Sequence, residues 1–220
     1  MKTLKNILLL GFPLFFTISC VYTEDITFNN DFSGKIKMHL DFTFFMEVGQ
    51  DSSFNEESTA REFDAMLADI KNQLSEIEGV SNVDYEYDIA GTYSILYDFN
   101  SLEALNNATA QLKMINDFKE EGKGIARSFR SKGKRTLYID HSPVVSDSLN
   151  ETAGWMLSYN LNIDFARDIK NISGCDTSGN SSCDSIQYNE NVMNYSGDIG
   201  TFYHGAPSTL AIKLGKKHKL

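Results

Sequence analysis

The stretch Gly79–Leu105, "GVSNVDYEYDIAGTYSILYDFNSLEAL", sets the fold class. Val83, Tyr85, Tyr87 and Ile89 alternate with polar neighbours, Ala90-Gly91 turns the chain, and Tyr93, Ile95, Tyr97 and Phe99 alternate back. A period of two on both arms predicts two antiparallel strands, each burying one face, joined by a tight turn. Asn100 or Ser101 then caps a helix whose apolar positions Leu102, Leu105, Ala108, Leu112 and Ile115 recur at helical spacing. The tyrosines could stack on a ligand, but a core shared with a neighbouring helix explains the aromatic density more economically.

That neighbouring helix lies immediately upstream. Thr59 and Glu62 match a capping box, Phe63, Met66, Leu67, Ile70, Leu74 and Ile77 form one apolar stripe, and Gly79 supplies the stop. Farther upstream, Ile26–Phe45 reads as a hairpin. The turn Asn29-Asn30-Asp31 precedes Gly34, and Ile36, Met38, Leu40, Phe42 and Phe44 alternate with Lys35, Lys37, His39, Asp41 and Thr43. The order β-β-α-β-β-α predicts an α+β fold, an antiparallel sheet with two helices packed on one face, followed by further strands. Those strands fall at Phe129–Asp140 around Gly133, at Trp155–Phe165, where alternation runs over eleven residues, and at Thr209–Leu214. No Pro-rich linker intervenes, so residues 20–220 are expected to form a single domain; a smaller C-terminal lobe from about residue 128 is the alternative.

The beginning of the chain has a different character. Lys2 and Lys5 precede an uncharged run, Ile7–Ile18, interrupted by Gly11 and Pro13. A spanning helix needs about 20 apolar residues, so this is the layout of a cleaved leader, residues 1–19. Thr17-Ile18-Ser19-Cys20 resembles the lipobox of bacterial lipoproteins, where a small residue precedes a cysteine that becomes the lipidated N-terminus. Thr17 stands where that pattern usually has Leu. The resemblance implies a diacylglyceryl thioether and an amide-linked chain such as palmitate on Cys20, which together supply the two chains that stable anchoring requires. Val21 follows the cysteine in place of the aspartate that marks inner-membrane retention, which favours the outer membrane; its periplasmic or outer face stays open.

Loss of Lys2 and Lys5 takes the formal charge from −10 to −12. Such a surface repels phosphate backbones and argues against nucleic acid as a partner. The basic tail Lys216-Lys217-His218-Lys219 is the exception, either touching anionic head groups or simply solvated. Two cysteines remain, Cys175 and Cys183, and an oxidising envelope would close them into a disulfide across "CDTSGNSSC". Asp176, Asn180 and Asp184 in that loop lack calcium-loop spacing, so no metal and no cofactor is expected.

Together, "DITFNNDFSGKIKMHLDF", the capped helix, the opening stretch and "MLSYNLNIDFARDIKNISG" resemble a group of uncharacterised Gram-negative lipoproteins with an Asp-x-Ser-Gly hairpin near the mature N-terminus. The matching positions are Asp31, Ser33 and Gly34, then Tyr159, Phe165, Ile169 and Lys170. More distantly the chain is similar to LppM-like α/β lipoprotein domains, which implies lipid binding and transfers no catalytic residue. The sequence contains no G-x-S-x-G elbow, H-E-x-x-H, P-loop or C-x-x-C. Asp140-His141-Ser142 are adjacent, and neighbouring strand residues point to opposite faces, which is not triad geometry. The expectation is a non-catalytic, lipid-anchored binding or scaffolding module, with a lipid or another envelope protein as its ligand. The alternative is an envelope hydrolase using His141 or His204.

Overall fold

The computed structural model describes residues 20–41, 56–88, 92–112, 127–141, 157–174, 186–198 and 209–216. The strands are β1 (Cys20–Phe28), β2 (Gly34–Asp41), β3 (Val80–Asp88), β4 (Thr92–Phe99), β5 (Arg127–Lys132), β6 (Thr136–His141), β7 (Leu157–Phe165), β8 (Ile169–Ser173), β9 (Ile186–Asn189), β10 (Val192–Asp198) and β11 (Thr209–Leu214). The helices are α1 (Glu56–Ser75) and α2 (Leu102–Gln111). This is the α+β class that the hairpin and helix periods predict.

Two sheets form where the sequence suggested one. Seven strands run in the order β3-β4-β2-β1-β7-β10-β9, and four in the order β5-β6-β11-β8. Strands β7, β10 and β9 from the second half thus extend the first sheet, whereas β5, β6, β8 and β11 form their own. All pairings are antiparallel except β1 with β7, which runs parallel from Cys20↔Leu157 to Phe28↔Phe165.

The inner face of the large sheet is a continuous apolar field. Ile26 lies beside Ile36 and Ile163, and Ile36 beside Tyr97. The helices cover the β3-β4 side through Leu67, Ile70 and Leu74 of α1 and Leu105 and Ala108 of α2, all buried. The small sheet covers the middle through Phe129, Leu137, Ile139 and Ile212. Phe28 is the meeting point: its ring, fully buried, lies within 5.6–6.1 Å of Phe165, Phe99, Phe129 and Phe32. These contacts draw the ends of β1, β4 and β7, the β1-β2 turn and the opposing sheet into one aromatic cluster.

Several boundaries differ from expectation. Helix α1 begins at Glu56, so Thr59 lies inside it and is not its cap. The helix ends at Ser75, and Gly79 at φ +85° reverses the chain into β3. In α2, by contrast, the Ser101 hydroxyl accepts from the Ala104 N–H at 3.1 Å, as a cap should. Tyr93 and Tyr97 are core residues, whereas Tyr85 and Tyr87 sit on the edge strand β3 and are only partly covered. Tyr85 donates to Asp64 at 2.9 Å and lies under Lys71.

The motif Asp31-x-Ser33-Gly34 builds the β1-β2 turn. Both the Ser33 N–H and its hydroxyl donate to Asp31 Oδ1, and those bonds, with the nearby Lys134 charge, hold the Asp31 carboxyl below its ordinary pKa. Gly34 pairs with Phe28 on one side and Phe99 on the other; a Cβ there would stand 1.9 Å from the Thr27 carbonyl oxygen and 2.9 Å from the Phe99 ring. Glycine is required by proximity, not by dihedral angle. Gly34→Ala is expected to lower stability by about 2–3 kcal/mol through overpacking, measured by urea unfolding; an unchanged midpoint would show that the β1-β2 register is not what excludes a side chain.

Candidate functional site

Among the described residues, one buried ion pair lies between the two sheets. Glu24 lies on the inner face of β1, two positions from Ile26, in register with Met38 and Leu161. Opposite it, Arg127 opens β5, and its guanidinium donates through Nη2 to Glu24 Oε2 and through Nη1 to the Tyr159 hydroxyl, the latter at 2.5 Å. Both charged side chains are almost wholly buried, 5% and 6% exposed, which makes them mutually dependent. Burial alone would lower the Arg127 pKa, but the Glu24 charge and hydrogen bond together with the Tyr159 and Tyr22 hydroxyls outweigh it, and the net shift is upward. Burial, and then the Glu24 carboxylate, push the hydroxyls of Tyr22 and Tyr97 above the ordinary tyrosine range. Arg127 also stacks over Phe129 at 5.1 Å. Tyr22 and Tyr97 are thereby held neutral beside the pair, and the arrangement keeps one charge balanced by one charge.

A second arginine closes the other end of the inter-sheet space. Arg167 follows β7, is buried, and donates from Nε to Asn30 Oδ1 at 2.8 Å and from its terminal nitrogens to the Asn30 and Lys134 carbonyls. It ties the β1-β2 turn to the β5-β6 turn. Beside it is an open depression of about 800 Å³, walled by Asn29–Asp31 and Ser33 on one side and by Lys134, Arg135 and Lys216 on the other. Lys216 is brought there because the Leu214 N–H donates to the Arg135 carbonyl and the Gly215 N–H to the Asp168 carbonyl.

The two ends of the sandwich are unlike. The reversals at 29–33, 76–79, 100–101, 133–135, 166–168 and 190–191 all lie at the Phe28 end of β1, with the depression. The strand and helix ends that flank 42–55, 89–91, 113–126, 142–156, 175–185 and 199–208 all lie at the Cys20 end.

The residues singled out from sequence distribute accordingly. Cys20 is the first residue of β1, and nothing of its side chain is described. Cys175, Cys183, Ser142 and His204 lie outside the described residues, as does the side chain of His141, which ends β6 in register with Arg127. Asp140 is engaged by Arg130 at 2.6 Å and by the Thr209 hydroxyl at 2.7 Å. Tyr159 and Phe165 serve the core, Ile169 is buried, and Lys170 pairs with Asp168 at 3.2 Å. Among the described residues no group of three His, Cys, Asp or Glu side chains is placed to hold a metal, and no helix is long and apolar enough to cross a membrane. Sequence reading missed the Glu24–Arg127 pair, though Glu24 sharing the phase of Tyr22, Ile26 and Phe28 was its signal.

No protein-family model matches the chain, and no curated protein matches it. Among solved structures, the folded domain of Mycobacterium tuberculosis LppM, determined by NMR, is similar at 12% sequence identity and a TM-score of 0.47, over 91% of each chain. At that level of likeness no site or activity passes from one to the other.

Removing one member of the internal pair strands the other. Arg127→Met is expected to cost about 3–5 kcal/mol, whereas Glu24→Leu combined with Arg127→Met should recover most of that loss or exceed wild type. Urea unfolding of the three chains decides it; a double variant no better than the single would mean that the pair is not coupled.

Proposed function

We propose that the chain is a lipid-anchored cell-envelope protein that binds or scaffolds, held through Cys20 with its residues 1–19 removed. The carrying observation is the position of Cys20. It follows the apolar run Ile7–Ile18 with only Ser19 between, and it is the first residue of the central strand of the large sheet. An acylated cysteine there would seat the sandwich end-on against the bilayer, because β1 begins at the anchor and runs about 26 Å away from it at roughly 3.3 Å per residue. The acidic mature chain suits an envelope surface held by acyl chains and not by charge. Val21 after the cysteine supports the outer membrane as its location.

This orientation revises the reading of the basic tail. Lys216, where the basic run begins, lies at the Phe28 end, on the depression, and so away from the bilayer that Cys20 would enter. A disulfide between Cys175 and Cys183 belongs to the same reading, since an oxidising compartment closes such a pair.

Cys20→Ser is expected to abolish incorporation of radiolabelled palmitate, with a wild-type chain whose N-terminal peptide carries the acyl mass at Cys20. Undiminished labelling of the variant would overturn the anchor. Non-reducing mass spectrometry after alkylation should find Cys175 and Cys183 in one linked peptide; two alkylated thiols would exclude their pairing.

A further inference from the structure

We propose that the depression at the Phe28 end of the sandwich is a phosphate-binding site. Four cationic side chains meet there in a chain whose net charge is −10. Arg167 is buried, its hydrogen bonds spent on Asn30 and on the Lys134 carbonyl, so it builds the floor and contributes charge without being free to move. Its bond to the Lys134 carbonyl fixes the turn that presents Lys134 and Arg135, and the Leu214–Arg135 backbone bond sets Lys216 against the same wall. The cations are therefore placed by the fold. Among the described residues, Lys134, Arg135 and Lys216 have no salt-bridge partner, which is true also of Lys132 and Lys213, but these three converge on one hollow, whereas Lys35, Lys37, Lys71, Arg130 and Lys170 are each paired.

Among the described lining residues Asp31 is the one carboxylate, and it is engaged chiefly by Ser33, with a weaker pull from the Lys134 charge. Asp31 accepts both the N–H and the hydroxyl of Ser33, which turns it toward its own hairpin. Three unpaired cations around an open hollow match an anion bearing more than one charge better than a lone carboxylate. Arg135 offers the planar fork that fits two phosphate oxygens, and the lysines add point charge. At about 800 Å³ the hollow admits a phosphorylated sugar or a diphosphate with room for the group that bears it. The site stands on this geometry alone; only its direction, away from the anchoring bilayer, rests on the lipid-anchor reading.

The test uses the full chain in phosphatidylcholine nanodiscs, titrated calorimetrically with pyrophosphate at low salt. Binding should weaken about tenfold or more in Lys134→Ala/Arg135→Ala, and should be unchanged in Lys37→Ala, a cation paired with Glu86 on the outer sheet face. Unaltered thermal unfolding would confirm that the double variant still folds, since both side chains are exposed. Phosphatidylglycerol vesicles added to the same nanodiscs separate the sources. Capture that the double variant loses assigns the phosphate to lipid head groups of a second bilayer, and pyrophosphate binding without capture assigns it to a soluble or glycan-borne ligand. No binding at about 10 mM pyrophosphate, or equal affinity in wild type and double variant, would overturn the site. Palmitate labelling at Cys20 reads the anchor separately, so the two ideas fail independently.

Discussion

Arg127 spans the space between the two sheets, and the arrangement of the core depends on what it finds there. An unpaired guanidinium at that depth would cost several kcal/mol, so the small sheet can dock on the large one only in the register that delivers Arg127 to Glu24 and Tyr159. Once that register is set, Phe129, two residues along β5, reaches the Phe28 cluster, and Lys134 at the end of the hairpin reaches Arg167. A polar contact thereby selects one alignment among apolar surfaces that would otherwise slide.

The parts legible in the sequence are those where one side chain in two is apolar and the alternation continues for several residues. The β4 strand, the hairpin at 127–141 and the strand at 209–214 follow their patterns closely, and Ser101 caps its helix as its position suggests. The strands that escaped notice are short or polar: β8 spans five residues of which only Ile169 is buried. β9 reads Ile186-Gln187-Tyr188-Asn189 and β10 carries Asn194, Ser196 and Gly197; only Met193 and Tyr195 mark the buried phase, because β9 closes the sheet as an exposed edge. Equally hidden was the division into two sheets. Periodicity states that a strand buries a face without stating which sheet provides the partner, and β5 and β7 are equally good strands.

The candidate sites were legible in inverse proportion to their distance along the chain. Asp31, Ser33 and Gly34 form a local motif, and their joint role in one turn follows from spacing. The depression draws on residues 29–33, 134–135, 167 and 216, which only the completed topology assembles. Glu24 and Arg127 are separated by 103 positions, and each alone looks like an ordinary surface charge. The resulting arrangement is spatial: short reversals and a cationic hollow at one end, Cys20 at the other.

The parallel pairing of β1 with β7 carries a consequence for how the molecule comes into being. Thr23 meets Asn160 across 137 positions, so the central strand of the large sheet acquires its second neighbour only after most of the chain exists. At a synthesis rate of about 5–20 residues per second that interval is about 7–27 seconds. During it β1 is flanked by β2 alone, with an open row of backbone donors and acceptors and the exposed ring of Phe28. Such an edge is a template for another chain. The N-terminal half is therefore the segment that most needs shielding between emergence and completion, and this non-local closure, and not the local hairpins, sets the pace of folding.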